Sequence, residues 1–393
     1  MPSSIPQTSA PTALSGYRRG DGRIGCRAHL LVLNATGLTD RIARRIAAAV
    51  PGTVLTSYPY GMGVLGPDAD AARRALRGLA NHPNTGAVLL LSADRSRLDE
   101  VAEALDPARP FEALALDSAD HDALRLTALG TAAAMRLRRA ASRQARDAVT
   151  PAALCVALEC GLSDPTSGIA ANPLIGHVAD RIVDAGGTVI LGETLEWLGV
   201  EDQLARRART PEIARRITEA VTRREALAVA NGVDLLGLNP NRRNIEEGLT
   251  TIEEKASGSV AKSGSRPIEG VLDYAEAPPR PGLWLMDGPS YTPESVTGMV
   301  AAGAQVALFS TGSGNSYASA LCPTLKISAN ARTVAALDTQ IDIDASALMG
   351  GQDAAAMAGP VLDEIAAVFG GALTWGEVTD EGNEVISRYG EAL

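Results

Sequence analysis

The sequence predicts an α/β protein: two doubly wound, Rossmann-like parallel-sheet domains with a long loop insertion in the second. Three observations carry this reading. Short, wholly apolar runs recur along the chain, and each is followed by a segment whose apolar residues return at helical spacing. Strands apolar on both faces must be covered on both faces, which is the mark of a parallel sheet sandwiched by helices. The 393 residues hold two or three domains at about 150 residues each, and the β/α rhythm stops and restarts at Thr150-Pro151.

Residues 1–16 are rich in Ser, Thr and Pro and read as a disordered arm. The first domain, 17–149, opens with strand RAHLLVLN and helix TGLTDRIARRIAAAV. TVLTSYPY with DADAARRALRGLAN and GAVLLLSA with RLDEVAEALD repeat the unit, and a long helical stretch over 121–146 closes it. The second domain, 150–393, places strands at ALCVALEC, GGTVILGE, GLWLMDG, AQVALFST and LKISAN, with helices near 173–185, 195–206 and 211–231. The insertion 232–281 interrupts the rhythm. It is rich in Gly, Asn and Pro and longer than most connections in a compact domain, which more often signals function than slack.

Composition removes several function classes. The net charge is −10, from 36 basic and 46 acidic residues, so nucleic acid is not an expected partner. Four cysteines without CxxC spacing are too few for a disulfide framework and suit a reducing cytoplasm. No basic-then-apolar leader opens the chain, and no run approaches about 18 apolar residues; the expectation is a cytoplasmic protein with no membrane partner. Only three of the 36 basic residues are lysines, Lys255, Lys262 and Lys326. Lysines retained where arginine otherwise prevails are candidates for chemistry, because an ammonium can lose its proton on burial and a guanidinium cannot.

The densest cluster of reactive side chains is ECGLSDPTSGIAANPLIG, 159–176, where a strand end delivers a thiol, a carboxylate, hydroxyls and an amide into one loop. Such loops form the ligand-binding edge of a parallel sheet. Ser163, Ser167 and Asn172 would equally serve to cap the next helix. The following strand ends in ETLEWLG, so Glu193 and Glu196 reach the same edge, where with Asp164 they could hold a divalent cation through oxygen, and Cys160 adds a softer donor. A solvated first helical turn would also explain the two glutamates. Within the insertion, Glu253, Glu254, Lys255 and Lys262 offer opposite charges in a Gly/Ser-punctuated segment, fit for acid–base work or for surface ion pairs. FSTGSGNS, 309–316, offers backbone N–H groups, Thr311 and Ser313 to an oxyanion, or else simply turns from strand to helix. His177 follows the dense loop and could face the site, whereas His29 and His82 read as structural and His121, after Asp117 and Asp120, reads as a surface residue. GMGVLG at 61–66 matches GxGxxG but lacks the acidic residue about 20 positions on, so no nicotinamide cofactor is expected.

At these residues the sequence resembles the large catalytic part of the altronate and galactarate dehydratases. The resemblance runs through GYRRGDGRIGCR (16–27), NHPNTGAVLLL (81–91), CGLSDPTSGIAANPLIG (160–176), GGTVILGETLEWLGVEDQL (186–204), GLTTIEEKASGSVAKSG (248–264) and GLWLMDGPSYTPESVTGMVAAGAQVALFSTG (282–312). It implies a lyase that uses a divalent metal, Fe²⁺ or Mn²⁺, on a sugar acid or related 2-hydroxy acid. It also implies a small subunit with a SAF domain, absent from this chain, that completes the site; further copies of the chain are expected as an oligomer. Removal of water gives a 2-keto acid, while removal of sulfite from a 3-sulfonate is an activity the family also includes.

Placed on the matching motifs, the expected catalytic residues are Lys255, Lys262, Glu254 and His177, with a lysine as base. The expected metal ligands are Cys160, Asp164, Glu193 and Glu196. The expected substrate-binding residues are Ser167, Asn172, Asp287, Thr311, Gly312, Ser313 and Lys326. Four departures stand out: NATGLTD, Gly61-Met62 and Ser92-Ala93-Asp94 each lack a cysteine the family tends to show, and TGSG has Ser313 where the family has arginine. These losses leave a non-catalytic acid-binding subunit as the competing expectation.

Overall fold

The computed structural model describes residues 14–390. Most of the expected arm lies outside them, but residues 14–16 belong to a strand, β1 (Leu14–Arg18), and so are not arm. This strand pairs antiparallel with β2 (Ile24–Gly25) and β7 (Asp147–Val149), a small sheet that periodicity alone did not reveal.

The first β/α units form a four-stranded parallel sheet of β3 (His29–Asn34), β4 (Thr53–Ser57), β5 (Thr85–Ser92) and β6 (Phe111–Ala115), in the order β4-β3-β5-β6. All eight residues of β5 are buried, which is why that stretch shows no polar alternation. Helices α1 (Asp40–Ala49), α2 (Gly66–Ala80), α3 (Arg95–Ala102) and α4 (Ala123–Ala141) cover it.

The second half is a seven-stranded parallel sheet. Its strands are β8 (Cys155–Cys160), β9 (Thr188–Leu191), β10 (Ile268–Leu272), β11 (Gly282–Met286), β12 (Val306–Ser310), β13 (Thr324–Ser328) and β14 (Ile343–Asp344), in the order β10-β11-β9-β8-β12-β13-β14. Its helices are α5 (Asn172–Asp184), α6 (Glu201–Ala205), α7 (Pro211–Ala230), α8 (Arg242–Glu246), α9 (Ile252–Val260), α10 (Thr292–Ala301), α11 (Ala331–Ala336), α12 (Ala354–Gly370) and α13 (Trp375–Val378). The segment 232–281 is therefore not one long loop: it carries α8, α9 and the edge strand β10. Its Gly/Ser content hid a nine-residue helix started by the Thr251 side chain, which accepts the Glu254 N–H.

The sheets share apolar contacts. Val296, Met299 and Val300 of α10 lie in the same buried cluster as Leu76 and Leu79 of α2 and Leu31, Leu33, Val88 and Leu90 of the first sheet. Each such side chain, fully buried, contributes about 1.5–3 kcal/mol. Residues 354–378 are apolar enough in composition to span a membrane, but the left-handed Gly371 ends α12 before α13 begins, and α12 buries Val361, Ile365, Val368 and Phe369 in the core.

Strand order reverses at β8, which has β9 on one side and β12 on the other. A crevice opens beyond the carboxyl ends of strands at such a switch point. Cys160 ends β8, Ser310 ends β12, and Gly192 with Glu193 follow β9 directly.

Candidate active site

Beyond that switch point lies a cavity of about 850 Å³, with Cys160, Glu193, Glu196 and Lys255 in its lining. Three local features bring them together. Glu193 adopts a left-handed backbone (φ 64°) as it leaves β9, a conformation few non-glycine residues accept and one that clusters at functional sites. Its turn continues at once into the short helix Thr194–Trp197 carrying Glu196. After Cys160 the chain passes through one wide π-turn, Ser167–Ala171, into α5. Against that turn packs α9, close enough that a Cβ on Gly258 would stand 2.9 Å from the Gly168 Cα.

Cys160 Sγ lies 3.2 Å from Glu196 Oε2 and 3.7 Å from Glu193 Oε2, and its backbone N–H donates to Glu193 Oε2 at 3.3 Å. The donor atoms of these three residues all lie within 4.8 Å of one another. Two lysines face them. Lys262 Nζ donates to Glu193 Oε2 at 2.9 Å, and Lys255 Nζ donates to Glu196 Oε1 and to Asn239 Oδ1. Ser259 Oγ donates to Glu196 Oε2 at 2.6 Å. The two ammonium groups differ in access: Lys255 lines the cavity, while Lys262 is sealed beneath it with no exposed surface.

Charge is set by this packing. Burial opposes ionisation of Glu196, but Lys255, Lys262 and the Ser259 hydrogen bond outweigh it and draw the carboxyl down to about 2. Glu193 moves the other way, raised by burial and by the Glu196 charge against the pull of Lys262. Burial alone would discharge the lysines, yet Glu196 and Cys160 carry Lys255 up, and Cys160, Glu193 and Glu196 carry Lys262 well above its ordinary value. Burial and the two carboxylates raise the Cys160 thiol. On the other face of β8, burial and Glu193 push Glu159 well up; its Oε2 accepts from Ser295 Oγ at 2.8 Å and its Oε1 has no partner.

Other expected residues lie elsewhere. Asp164 stands apart from the Cys160 group: its Oδ1 accepts from Thr166 Oγ1 (2.7 Å) and the Ser167 N–H (3.0 Å), and its Oδ2 from Asn330 Nδ2 (2.8 Å). Ser167 belongs to that local network. Asn172 ties the site together, donating to Gly258 O at 2.8 Å and accepting from Ser310 Oγ. Asp287 is engaged by Thr194 Oγ1 and by Arg223 and Arg224 of α7. The Gly312 and Ser313 N–H groups both donate to Leu162 O at 3.2 Å, so they are already used, and Thr311 Oγ1 accepts the Gly314 N–H. Lys326 is buried in β13 with its Nζ 3.1 Å from Glu381 Oε2 and from Ser316 O. Glu254 and His177 are exposed; Glu254 accepts from Thr250.

Residues outside the expected set complete the picture: Asn239, Tyr291, Asn315 and Glu381 line the cavity, Ser259 supports Glu196 from beneath it, and Glu159 lies on the other face of β8. One signal for Ser259 was available, since Lys255, Ser259 and Lys262 are spaced i, i+4, i+7 and share one helical face. Asn239 had none, because its role depends on a turn of the insertion whose path no periodicity encodes.

The same arrangement can be set beside known proteins. Residues 16–142 match the second domain of D-galactarate dehydratase/altronate hydrolase, and residues 152–391 match the D-galactarate/altronate dehydratase C-terminal model. The chain belongs to the D-galactarate/altronate dehydratase family. It is 35% identical to the (2R)-sulfolactate sulfo-lyase subunit beta of Chromohalobacter salexigens over 338 residues, 85% of this chain and 86% of that one. It is 30% identical to the altronate dehydratase of Escherichia coli over 404 residues, 99% and 80% of the two chains, and 26% identical to the galactarate dehydratase of the same organism over 376 residues, 90% and 71%. These relatives are named as a sulfo-lyase subunit and as dehydratases, and in this family member the residues that meet are a thiol, two carboxylates and two ammonium groups. That donor set could hold a divalent cation, one soft sulfur and two hard oxygens lying within 4.8 Å of one another, although the two carboxylates already have the ammonium groups of Lys262 and Lys255 as counter-charges.

Proposed function

We propose that the chain is a lyase that eliminates the C3 hydroxyl of a small 2-hydroxy acid as water, leaving a 2-keto acid. The observation that carries this reading is the convergence of Lys255 with Cys160, Glu193 and Glu196 in one cavity at the sheet's switch point. Cys160, Glu193 and Glu196 would hold the divalent cation, and sulfur in the set favours Fe²⁺ over Mn²⁺. When bound, such an ion takes substrate oxygens and makes the C–H beside the carboxylate more acidic.

Of the two lysines, Lys255 is the one that can meet substrate. Paired with Glu196 it is cationic; once Glu196 turns to other partners, Lys255 loses the charge that holds its proton and can accept the C2 proton. Handing that proton to the C3 oxygen as the C3–O bond breaks lets water leave, C2 and C3 become doubly bonded, and the enol relaxes to the keto acid. One group serving both steps requires both on one face of the substrate. Lys262 is a positioning residue that holds Glu193.

A second reading, loss of sulfite from a 3-sulfonate, is favoured by the 35% identity to the sulfo-lyase subunit. That relative's designation as a subunit beta also supports a small partner subunit for this chain. A reducing cytoplasm suits the four free cysteines. The test is to incubate the purified chain, alone and with a small partner encoded beside it, with Fe²⁺ or Mn²⁺ and a panel of sugar acids and sulfolactate, assaying 2-keto acid and sulfite. The reading expects keto acid without sulfite and none from Lys255→Ala; no keto acid from any acid would refute it, and sulfite release would establish the second reading.

A further inference from the structure

On the lyase reading the floor of the cavity handles the reacting end of the acid, which leaves the other end to the side of the cavity toward β13. That side is built by Asn315, Ser316, Tyr317 and Glu381. The charges there are informative. Among the described residues lining the cavity, the charged ones are Glu193, Glu196, Glu381 and Lys255, and Lys255 is engaged by Glu196. Lys262 is engaged by Glu193, and Lys326, behind the far wall, by Glu381. Of the arginines outside the lining, Arg242 and Arg243 of α8 pair with Glu246 and Glu247, while Arg223 and Arg224 of α7 share the one carboxylate of Asp287; none of the four lines the cavity. Ser313 adds no charge, and its hydroxyl lies against Leu162 O at 3.4 Å.

We infer that this wall selects a monoanionic acid with an uncharged, hydroxyl-bearing far end, and that Glu381 is the residue that excludes a second anionic group. The Asn315 amide and the exposed Ser316 hydroxyl offer donors and acceptors that match sugar hydroxyls, while the Tyr317 hydroxyl is turned into the interior. A second carboxylate or a sulfonate would meet Glu381 from the cavity side, whereas its partner Lys326 is fully buried behind the wall and offsets the contact only in part, leaving a like-charge approach in a partly desolvated space. The inference rests on the lyase reading for the placement of the reacting end, and it favours water over sulfite as leaving group because a 3-sulfonate acid is a dianion.

The test compares acids that differ only in the far carbon, alcohol or carboxylate: galactonate with galactarate, gluconate with glucarate, mannonate with mannarate. The full chain with Fe²⁺ and its partner is assayed for 2-keto acid, and the same acids are ranked by the rise they cause in melting temperature. The wild-type chain should favour the monoacid of its preferred pair by at least about ten-fold, the scale of one screened like-charge contact. Glu381→Gln leaves the Lys326 ammonium unpaired beside the wall and should move the ratio toward the diacid by about ten-fold or more, whereas Lys326→Met should move it further toward the monoacid. Preference of the wild type for diacids, or an unchanged ratio in both folded variants, overturns the inference. If Glu381→Gln does not fold, the wild-type ratio and Lys326→Met decide. Absence of keto acid with the monoacid still ranked first in melting shift would fail the lyase reading and leave the selectivity standing.

Discussion

Lys262 offers the sharpest perturbation of the site, because its cost can be worked from the structure. Its ammonium has no exposed surface and sits 2.9 Å from Glu193 Oε2, with Cys160, Glu196 and Glu159 close enough to stabilise its charge. Lys262→Met keeps the length and fills the volume but removes the cation, so Glu193 is left buried beside Glu196. Breaking one side of a buried pair costs about 3–5 kcal/mol. The loss is capped by protonation: without Lys262 the Glu193 carboxyl, already raised by burial and by Glu196, rises further. A carboxyl whose folded pKa exceeds its unfolded value contributes stability below the unfolded value and loses it as pH rises through the folded one. The variant should therefore be nearly as stable as wild type near pH 4.5 and fall behind with increasing pH, at up to about 1.4 kcal/mol per unit.

The assay is urea unfolding of both proteins across that range, followed by the fluorescence of the three tryptophans, of which Trp197 and Trp284 are buried, with stability extrapolated to zero denaturant. A deficit of about 3 kcal/mol or more at pH 8 that closes toward pH 4.5 is expected. A deficit below about 1 kcal/mol at pH 8, or one independent of pH, would show that Lys262 does not balance Glu193 and that the buried charges are arranged otherwise. Lys255→Met should behave differently, since its ammonium faces the cavity where water can solvate Glu196: about 1–2 kcal/mol of stability lost, but turnover down by about 10²–10⁴.

Three further outcomes are expected. Cys160→Ser should abolish the near-ultraviolet thiolate-to-metal absorption of the Co²⁺-substituted chain, and persistence of that band would remove Cys160 from the ligand set. Gly312→Ala should lower the melting temperature and loosen the loops after β8 and β12, because a Cβ there would stand 2.3 Å from the Asp164 Cγ; a variant as stable as wild type would mean the two loops are free to separate. His82 is buried and neutral, with Nε2 bonded to Ala304 O at 2.8 Å and Nδ1 accepting the Asn84 N–H at 3.1 Å, and burial pushes it down to about 3. A depressed pKa contributes stability above the unfolded value near 6.5 that is lost as pH falls toward the folded one. Between pH 7.5 and 5 the wild type should lose about 2 kcal/mol through this group and His82→Gln should not; parallel acid limbs would exclude His82 as the cause.

The alternation of apolar strands with amphipathic helices was legible because a parallel sheet covered on both faces allows little else, and β3, β5, β8 and β12 all lie where their apolar runs placed them. Cys160, Glu193 and Glu196 share an edge for the same reason: two of them directly follow or end neighbouring parallel strands, and parallel strands deliver their carboxyl ends to one side. The helix over 252–260 was not legible. Its glycine and serines, read locally, argue for a loop, whereas in the fold Gly258 is there to let α9 approach the 167–171 turn. A helix hidden by the contact it makes also hid the common face of Lys255, Ser259 and Lys262.

Charge states are the part that sequence could not supply in principle. A lysine reads as a candidate base because burial can discharge it, but burial beside Glu196 and Cys160 does the opposite to Lys255 and fixes its proton. Sign depends on the balance between desolvation and neighbouring charge, and that balance is a property of three chain segments that meet only on folding: the end of β8, the turn after β9 and the face of α9. The consequence for chemistry is definite. A lysine held cationic by Glu196 cannot take a proton until Glu196 is drawn elsewhere, so any step in which Lys255 acts as base must be preceded by rearrangement of the pair, and acids offered to the unrearranged site should bind without losing their C2 proton.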